Sequence, residues 1–400
     1  MPTLAHRFPL HARAALLVVA CLLACESPPR AASSVAFAPS AWTVDSAPTL
    51  VLGDASGDTT KLFATVIGAT RLPDGKIMVA DRQDEYNLHI YDGRGVWLRS
   101  FGRRGTGPGE FSYAARFWRC GDTVYVYDID GYRETALTLG GAFVRSFHFG
   151  RGAQAPGSQT PYRSVCNRSA TFAHYGWDRT RPALKEGEIK VTRGKVPFWL
   201  SGADSMVRAA LDSFPGSERA VHAGGSTPRK FGKQTSIAIA SDRLYVGTAE
   251  RAEVFVISLM DYSTDTIPVP VTPGAVTAAD IETLKATQTA TEPADRRASM
   301  EREFATHPFP DSLPPYAALV VDAEEVLWVQ DYPRAGSEFV KWSIVSRDGS
   351  PVATVTLPAY LEVYEIGTDY ILGRYLHPVE SIPQVRQYRL RRGAVALTPK

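Results

Sequence analysis

The stretch Ala69 to Phe111 reads as three or four short strands joined by turns, and it constrains the fold because it recurs. Asp74-Gly75 is a turn dipeptide that favours positive φ at the glycine. Lys76 to Ala80 is an apolar, β-branched run, and Leu88 to Tyr91 alternates apolar with polar. Asp92-Gly93 turns the chain again, Val96 to Phe101 returns, and a glycine-rich loop closes the unit at Phe111. A unit this small, built of strands alone, cannot bury its own apolar faces and needs copies on either side. The run Lys76–Asp81 is echoed at Thr123–Asp128, Ala170–Tyr175, Arg243–Thr248, Val326–Asp331 and Tyr370–Tyr375. The last residues of successive echoes stand 47, 47, 73, 83 and 44 apart. Four-stranded propeller blades run about 40–50 residues, so the two long steps each carry an insertion. The expectation is an all-β, six-bladed β-propeller of four-stranded antiparallel blades.

The first unit resembles an NHL repeat. Its phrases DGKIMVAD, LHIYDGRG and FGRRGTGPGEF stand in the order of that repeat. The chain as a whole is similar to bacterial six-bladed propeller lipoproteins with NHL-like repeats. That resemblance implies a propeller and leaves the activity open, since propellers host many functions.

Residues 1–24 read as a lipoprotein signal peptide. Arg7 and Arg13 are its positive end, and Ala14 to Ala24 is too short to span a bilayer. Leu22-Leu-Ala-Cys25 has the form of a lipobox, which makes Cys25 the lipidated residue; an ordinary signal peptide with an incidental cysteine is the other reading. Residues 25–40, rich in Pro, Ala and Ser, read as a flexible tether. The expected location is the bacterial cell envelope, with the protein held at the membrane by its lipid and facing the periplasm or the exterior. The propeller then covers 41–400, and residues 41–53 supply a strand that completes the last blade and removes free sheet edges.

The two long steps have separate candidates. One is the pair of stretches Gly176 to Gly187 and Pro215 to Pro228, rich in Gly and Ser. The other is helical, at about 274–306 between blades 4 and 5: Thr277-Ala-Ala-Asp280 has a capping-box start, and Glu292-Pro293 opens a second helix. The helices either cover one face as a lid or pack on the rim.

Function is harder to read. The chain holds 44 Lys+Arg and 42 Asp+Glu, and the two leader arginines supply the excess, so no nucleic-acid footprint is expected. The basic cluster Arg389-Leu-Arg-Arg392 reads as a protected strand edge. Asp81, Asp128 and Asp331 recur at one repeat position; they either ring the channel as Ca²⁺ ligands or cap their own turns. No histidine spacing suits a metal, no Gly-x-Ser-x-Gly elbow is present, and no cofactor is expected. Cys120 and Cys166 fall at equivalent places in blades 2 and 3, either disulfide-bonded or as two buried thiols. The expected role is a lipid-anchored, non-catalytic module for a protein, peptide or glycan partner. A metal-dependent propeller enzyme of lactonase or lyase type is the alternative. If the long loops gather on one face, Arg103, Arg104, Tyr162, Trp177 and Trp199 are the side chains to line its site; otherwise they pack the loops together.

Overall fold

The computed structural model describes residues 42–53, 62–82, 85–148, 161–377 and 382–393. Cys25, the leader, the tether and the loop 151–160 lie outside the described residues. Two short strands come first, β1 (Thr43–Val44) and β2 (Leu50–Leu52). Blade 1 is β3 (Val66–Arg71), β4 (Ile77–Asp81), β5 (Tyr86–Tyr91) and β6 (Trp97–Arg103). Blade 2 is β7 (Ala114–Cys120), β8 (Thr123–Asp128), β9 (Arg133–Thr138) and β10 (Phe143–His148). Blade 3 begins with β11 (Arg163–Cys166) and β12 (Phe172–Tyr175). The chain then leaves the blade for β13 (Ile189–Thr192) and returns as β14 (Lys195–Ser201) and β15 (Val207–Pro215). It leaves again for β16 (Arg219–His222) and β17 (Gly225–Pro228).

Blade 4 is β18 (Ser236–Ile239), β19 (Arg243–Gly247), β20 (Glu253–Ser258) and β21 (Thr264–Pro268). The helices α1 (Ala278–Thr289) and α2 (Ala294–Thr306) follow. Blade 5 is β22 (Tyr316–Val321), β23 (Leu327–Asp331), β24 (Phe339–Val345) and β25 (Pro351–Pro358). Blade 6 is β26 (Leu361–Ile366), β27 (Tyr370–Leu376) and β28 (Pro383–Arg391), with β1 and β2 pairing on β28 as its outer strand. The first strand of each blade neighbours the first strand of the next, from β3 through β26 and back to β3. The protein is a closed six-bladed propeller, and the six sequence echoes fall on the second strands of its blades.

Closure joins the two chain ends. Trp42 packs at 5.9 Å from Trp328 of blade 5, the Arg392 guanidinium lies over the Trp42 ring, and Arg391 pairs with Asp45. Gly75 takes φ +83 in its turn, the conformation the Asp-Gly pair calls for.

Three short strands lie outside the blades. β13, β16 and β17 form a separate antiparallel sheet in the order β13-β16-β17. Lys190 to Leu200 alternates in sequence like a single strand, but the chain breaks at Arg193-Gly194 and its two halves serve different sheets. The helical pair is tied to this sheet. Lys230 Nζ lies 2.8 Å from Glu303, Arg229 Nε donates to Pro308 O, and the Lys230 amide donates to His307 Nε2. Helix α1 starts with the capping box Thr277/Asp280, and Arg334 of blade 5 reaches the same Asp280 at 2.8 Å.

Connections alternate between the two faces of a propeller, because each blade's strands alternate in direction. The turns between first and second strands, and between third and fourth, are tight; Pro73 to Lys76 and Gly140 to Ala142 are examples. The remaining connections hold the glycine-rich loop, the extra sheet and both helices. One face thus carries short turns and the other carries all the insertions.

The seams between blades are apolar, with one exception. Between blades 5 and 6, Trp42, Trp328, Trp342, Ile344, Leu357 and Tyr388 are all buried. Between blades 2 and 3 the buried apolar cluster contains only Cys120, Tyr125, Ala136 and Phe172. The rest of that seam is polar: Glu134 and His174 are 2% and 1% exposed. His174 bonds Ser164 through Nδ1 and Ser201 through Nε2, each at 2.7 Å. Cys120 and Cys166 form a disulfide across this seam, with Cα atoms 5.8 Å apart. It joins the ends of two neighbouring inner strands and closes a loop spanning 46 residues, which in the chain-entropy account stabilises by about 4 kcal/mol.

Candidate binding cleft

On the insertion face, above the seam between blades 2 and 3, lies a cleft of about 250 Å³. Its walls are Arg116, Tyr127 and Tyr132 from blade 2, and Pro161, Trp177 and Arg179 from blade 3. Each wall residue owes its place to a local feature. Arg116 sits on β7, where the register shifts between Ala114 and Arg116, a bulge that re-aims an inner-strand side chain. Tyr132 ends the turn after β8 at φ +46, a left-handed backbone that bulky residues rarely adopt and that gathers at functional sites. Trp177 and Arg179 open the excursion from β12 to β13. That excursion is anchored by Asp178, whose carboxylate accepts from the Thr180 and Gly194 amides.

The cleft is aromatic and cationic. Trp177 packs edge-on against Tyr162 at 4.5 Å and is 42% exposed; Tyr132 is 53% exposed. The Arg116 guanidinium lies 5.3 Å from the Tyr127 ring centre and donates through Nη1 to Pro161 O at 2.9 Å. Burial lowers the Arg116 pKa, and burial pushes the Tyr127 hydroxyl up to about 12. Arg163, at the start of β11, adds a further positive charge near Arg116. Among the described residues, none of the half-buried Arg116 and the exposed Arg163 and Arg179 is in an ion pair.

The five side chains named from sequence do not come together as one site. Trp177 lines the cleft and Tyr162 supports it. Trp199 does not: it is 1% exposed in β14 and stacks on His174 at 5.3 Å, inside the seam. Arg103 is engaged with Glu110 at 2.6 Å within its own loop. The Arg104 backbone donates to Glu85 O, and neither arginine lines the cleft. Arg133 fixes that loop from below by donating to the Thr106, Gly107 and Glu110 carbonyls. Sequence reasoning missed Arg116, Tyr132 and Arg179. The available signal for Arg116 was two arginines in an otherwise apolar inner strand, Ala114-Ala-Arg-Phe-Trp-Arg-Cys120.

The recurring aspartates hold the architecture together. Asp81 accepts from the Ala64 and Thr65 amides, and Asp128 from the Ser112 and Tyr113 amides. Each therefore pins the chain where it enters its blade's first strand, rather than capping only its own turn. Blade 5 has Pro314-Pro315 at those two positions, and proline has no N–H to give. Asp331 pairs with Lys341 at 3.0 Å instead, its Oδ1 is buried without a partner, and burial raises its pKa. Among the described residues, no three His, Cys, Asp or Glu side chains gather as a metal site.

A second hollow, about 310 Å³, lies on the turn face between blades 1 and 2. Leu72, Ile90, Leu98 and Leu139 line it. Its polar neighbours are already engaged: Lys76 with Asp74, and Arg99 with Gly140 O. Its charged side chains are thus turned to partners within the chain, and it lacks the exposed aromatics of the smaller cleft, which is the better candidate despite its size.

A family model described as a 6-bladed beta-propeller matches residues 58–133. A Bacteroides fragilis protein described as exported is similar in structure over 89% of this chain and 97% of its own, with TM-score 0.47 and 11% identity. A Bacteroides vulgatus member of the duf4221 family is similar over 88% of this chain and 99% of its own, with TM-score 0.49 and 9% identity. No curated protein matches the sequence. No helix among the described residues is long and apolar enough to cross a membrane.

Proposed function

We propose that this chain is a lipid-anchored, extracytoplasmic propeller of NHL-like repeats that acts as a non-catalytic binding module for a protein, peptide or glycan. The observation that carries the reading is the division of labour between faces. All the insertions rise from one face, and the cleft opens there with exposed aromatics and with arginines that form no ion pair among the described residues. Binding residues concentrate on loops held by a rigid frame. Anchoring rests on the lipobox at Cys25, and acyl chains contribute about 0.8 kcal/mol per buried CH₂.

The test uses the full chain expressed with its leader. Cys25→Ser should abolish release into the detergent phase; continued partitioning there would place the anchor elsewhere. The purified domain, immobilised and exposed to an envelope extract, should capture a partner. Trp177→Ala with Arg179→Ala should lose that partner while the melting temperature holds. Trp97→Ala with Leu98→Ala, on the outer strand of blade 1, should keep it. Equal capture by all three proteins would refute the site.

A further inference from the structure

We propose that the cleft takes a carboxylate-bearing sugar, a uronic acid unit of an anionic saccharide; this rests on the binding-module reading above. Arg116 carries the argument. It is half-buried, its one hydrogen bond among the described residues is to the neutral Pro161 carbonyl, and among those residues it forms no ion pair with an acid. Arg163 is close enough to depress it further, and Arg179 stands on the opposite wall. Two guanidinium groups line this cleft and a third stands near one of them; among the described residues none is in an ion pair, and a ligand anion relieves their repulsion. A guanidinium fork matches a planar carboxylate through two parallel N–H···O bonds.

The aromatic walls narrow the ligand further. Trp177 and Tyr132 present exposed faces rather than closed pockets. An aromatic face is electron-rich and attracts the positive edges of C–H bonds, which a sugar ring presents as a sheet on one side. A cleft of about 250 Å³ suits one or two rings and not a folded partner. An acidic peptide would satisfy the arginines but would use the aromatic walls less. A chain of uronic acids offers both features from each residue.

The experiment titrates the purified domain with four probes: tetragalacturonate, a hyaluronan tetrasaccharide, neutral cellotetraose and hexaglutamate. At least one acidic saccharide should bind saturably and lose affinity as salt rises. Methyl esterification of its carboxylates, or replacing Arg116 with Gln, should each weaken it about tenfold or more. Trp177→Ala should weaken the saccharide, and cellotetraose should not bind. Stronger binding of hexaglutamate than of either acidic saccharide would overturn the sugar assignment in favour of an acidic peptide. If neither saccharide binds, the ligand class is wrong. In that case, capture of an envelope partner that is still lost in Trp177→Ala/Arg179→Ala would leave the binding-module reading standing. Arg116→Lys separates fork from charge: it should fall well below the native protein if the bidentate bond matters, and equal affinity would remove that contact from the proposal.

Discussion

The seam between blades 5 and 6 and the seam between blades 2 and 3 solve the same packing problem in opposite ways. The first buries Trp42, Trp328 and Trp342 and recruits the N-terminal strand, so the chain ends are held by apolar area. The second buries Glu134, His174 and Arg145-linked polar groups around four apolar residues, and a disulfide crosses it. The candidate cleft opens above the second. A propeller needs every seam to hold, and five of them do so by burial of area. The sixth gives up area for polar groups and relies on a covalent link. The same division appears along one strand: Arg119 of β7 points to the turn face and reaches the Arg71 carbonyl and Glu365, while Arg116, three residues earlier, forms no ion pair among the described residues. Compensated charge builds the ring, and uncompensated charge is available for recognition.

The largest expected effect is at the apolar seam. Trp328→Ala removes a fully buried indole, including its packing on Trp42 and its Nε1–H bond to Asp322, and should cost about 3–5 kcal/mol in urea unfolding. A loss under about 1 kcal/mol would mean that this seam does not depend on its aromatic area.

Next is the staple. Cys120→Ser with Cys166→Ser should cost about 2–5 kcal/mol, and non-reducing mass analysis of the exported protein should find the two cysteines linked. Two alkylatable thiols in the native protein would remove the staple from the account.

The fold was legible in sequence because its signals are local. Turn dipeptides, alternation and the repeated Lys76–Asp81 run do not depend on distant contacts, so the second strands of all six blades could be found. The extra sheet was not legible. β13 pairs with β16 across a separation of some thirty residues, and all three strands of the sheet are four residues long, too short for alternation to show. Trp177 and Tyr162 could be named as aromatics on long loops. Trp199 was misplaced although its neighbours held the answer: Phe198-Trp-Leu200 is a continuous apolar run, and both faces of such a strand are buried. Arg116 was missed because the lack of an acid beside it is a property of six strands brought together, not of any stretch.

A smaller effect comes from the buried acid of the polar seam. Burial pushes Glu134 up to about 8 from its ordinary 4.5, against the opposing pull of Ser205 and Arg145. Between those values the folded state keeps a proton that the unfolded chain has released. Its contribution is therefore fully present below about pH 4.5 and is lost as pH rises toward 8. His174, lowered to about 3 from 6.5 by burial, works in the other direction: stability falls as pH drops from 6.5 toward 3. Glu134→Gln should flatten the decline in urea midpoint between pH 5 and pH 8, and an unchanged slope would assign that decline to other groups. The smallest effect is at the cleft, where Trp177→Ala and Arg179→Ala should each shift stability by no more than about 0.5 kcal/mol.

The contrast between seams is tested most directly by native-state hydrogen exchange, read by strand, with the disulfide intact and after reduction. Reduction should release protection first in β7, β8, β9, β11 and β12, the strands that line the polar seam, while β1, β24 and β28 at the tryptophan seam exchange as before. Uniform loss across the ring, or first opening at β1 and β28, would contradict the account.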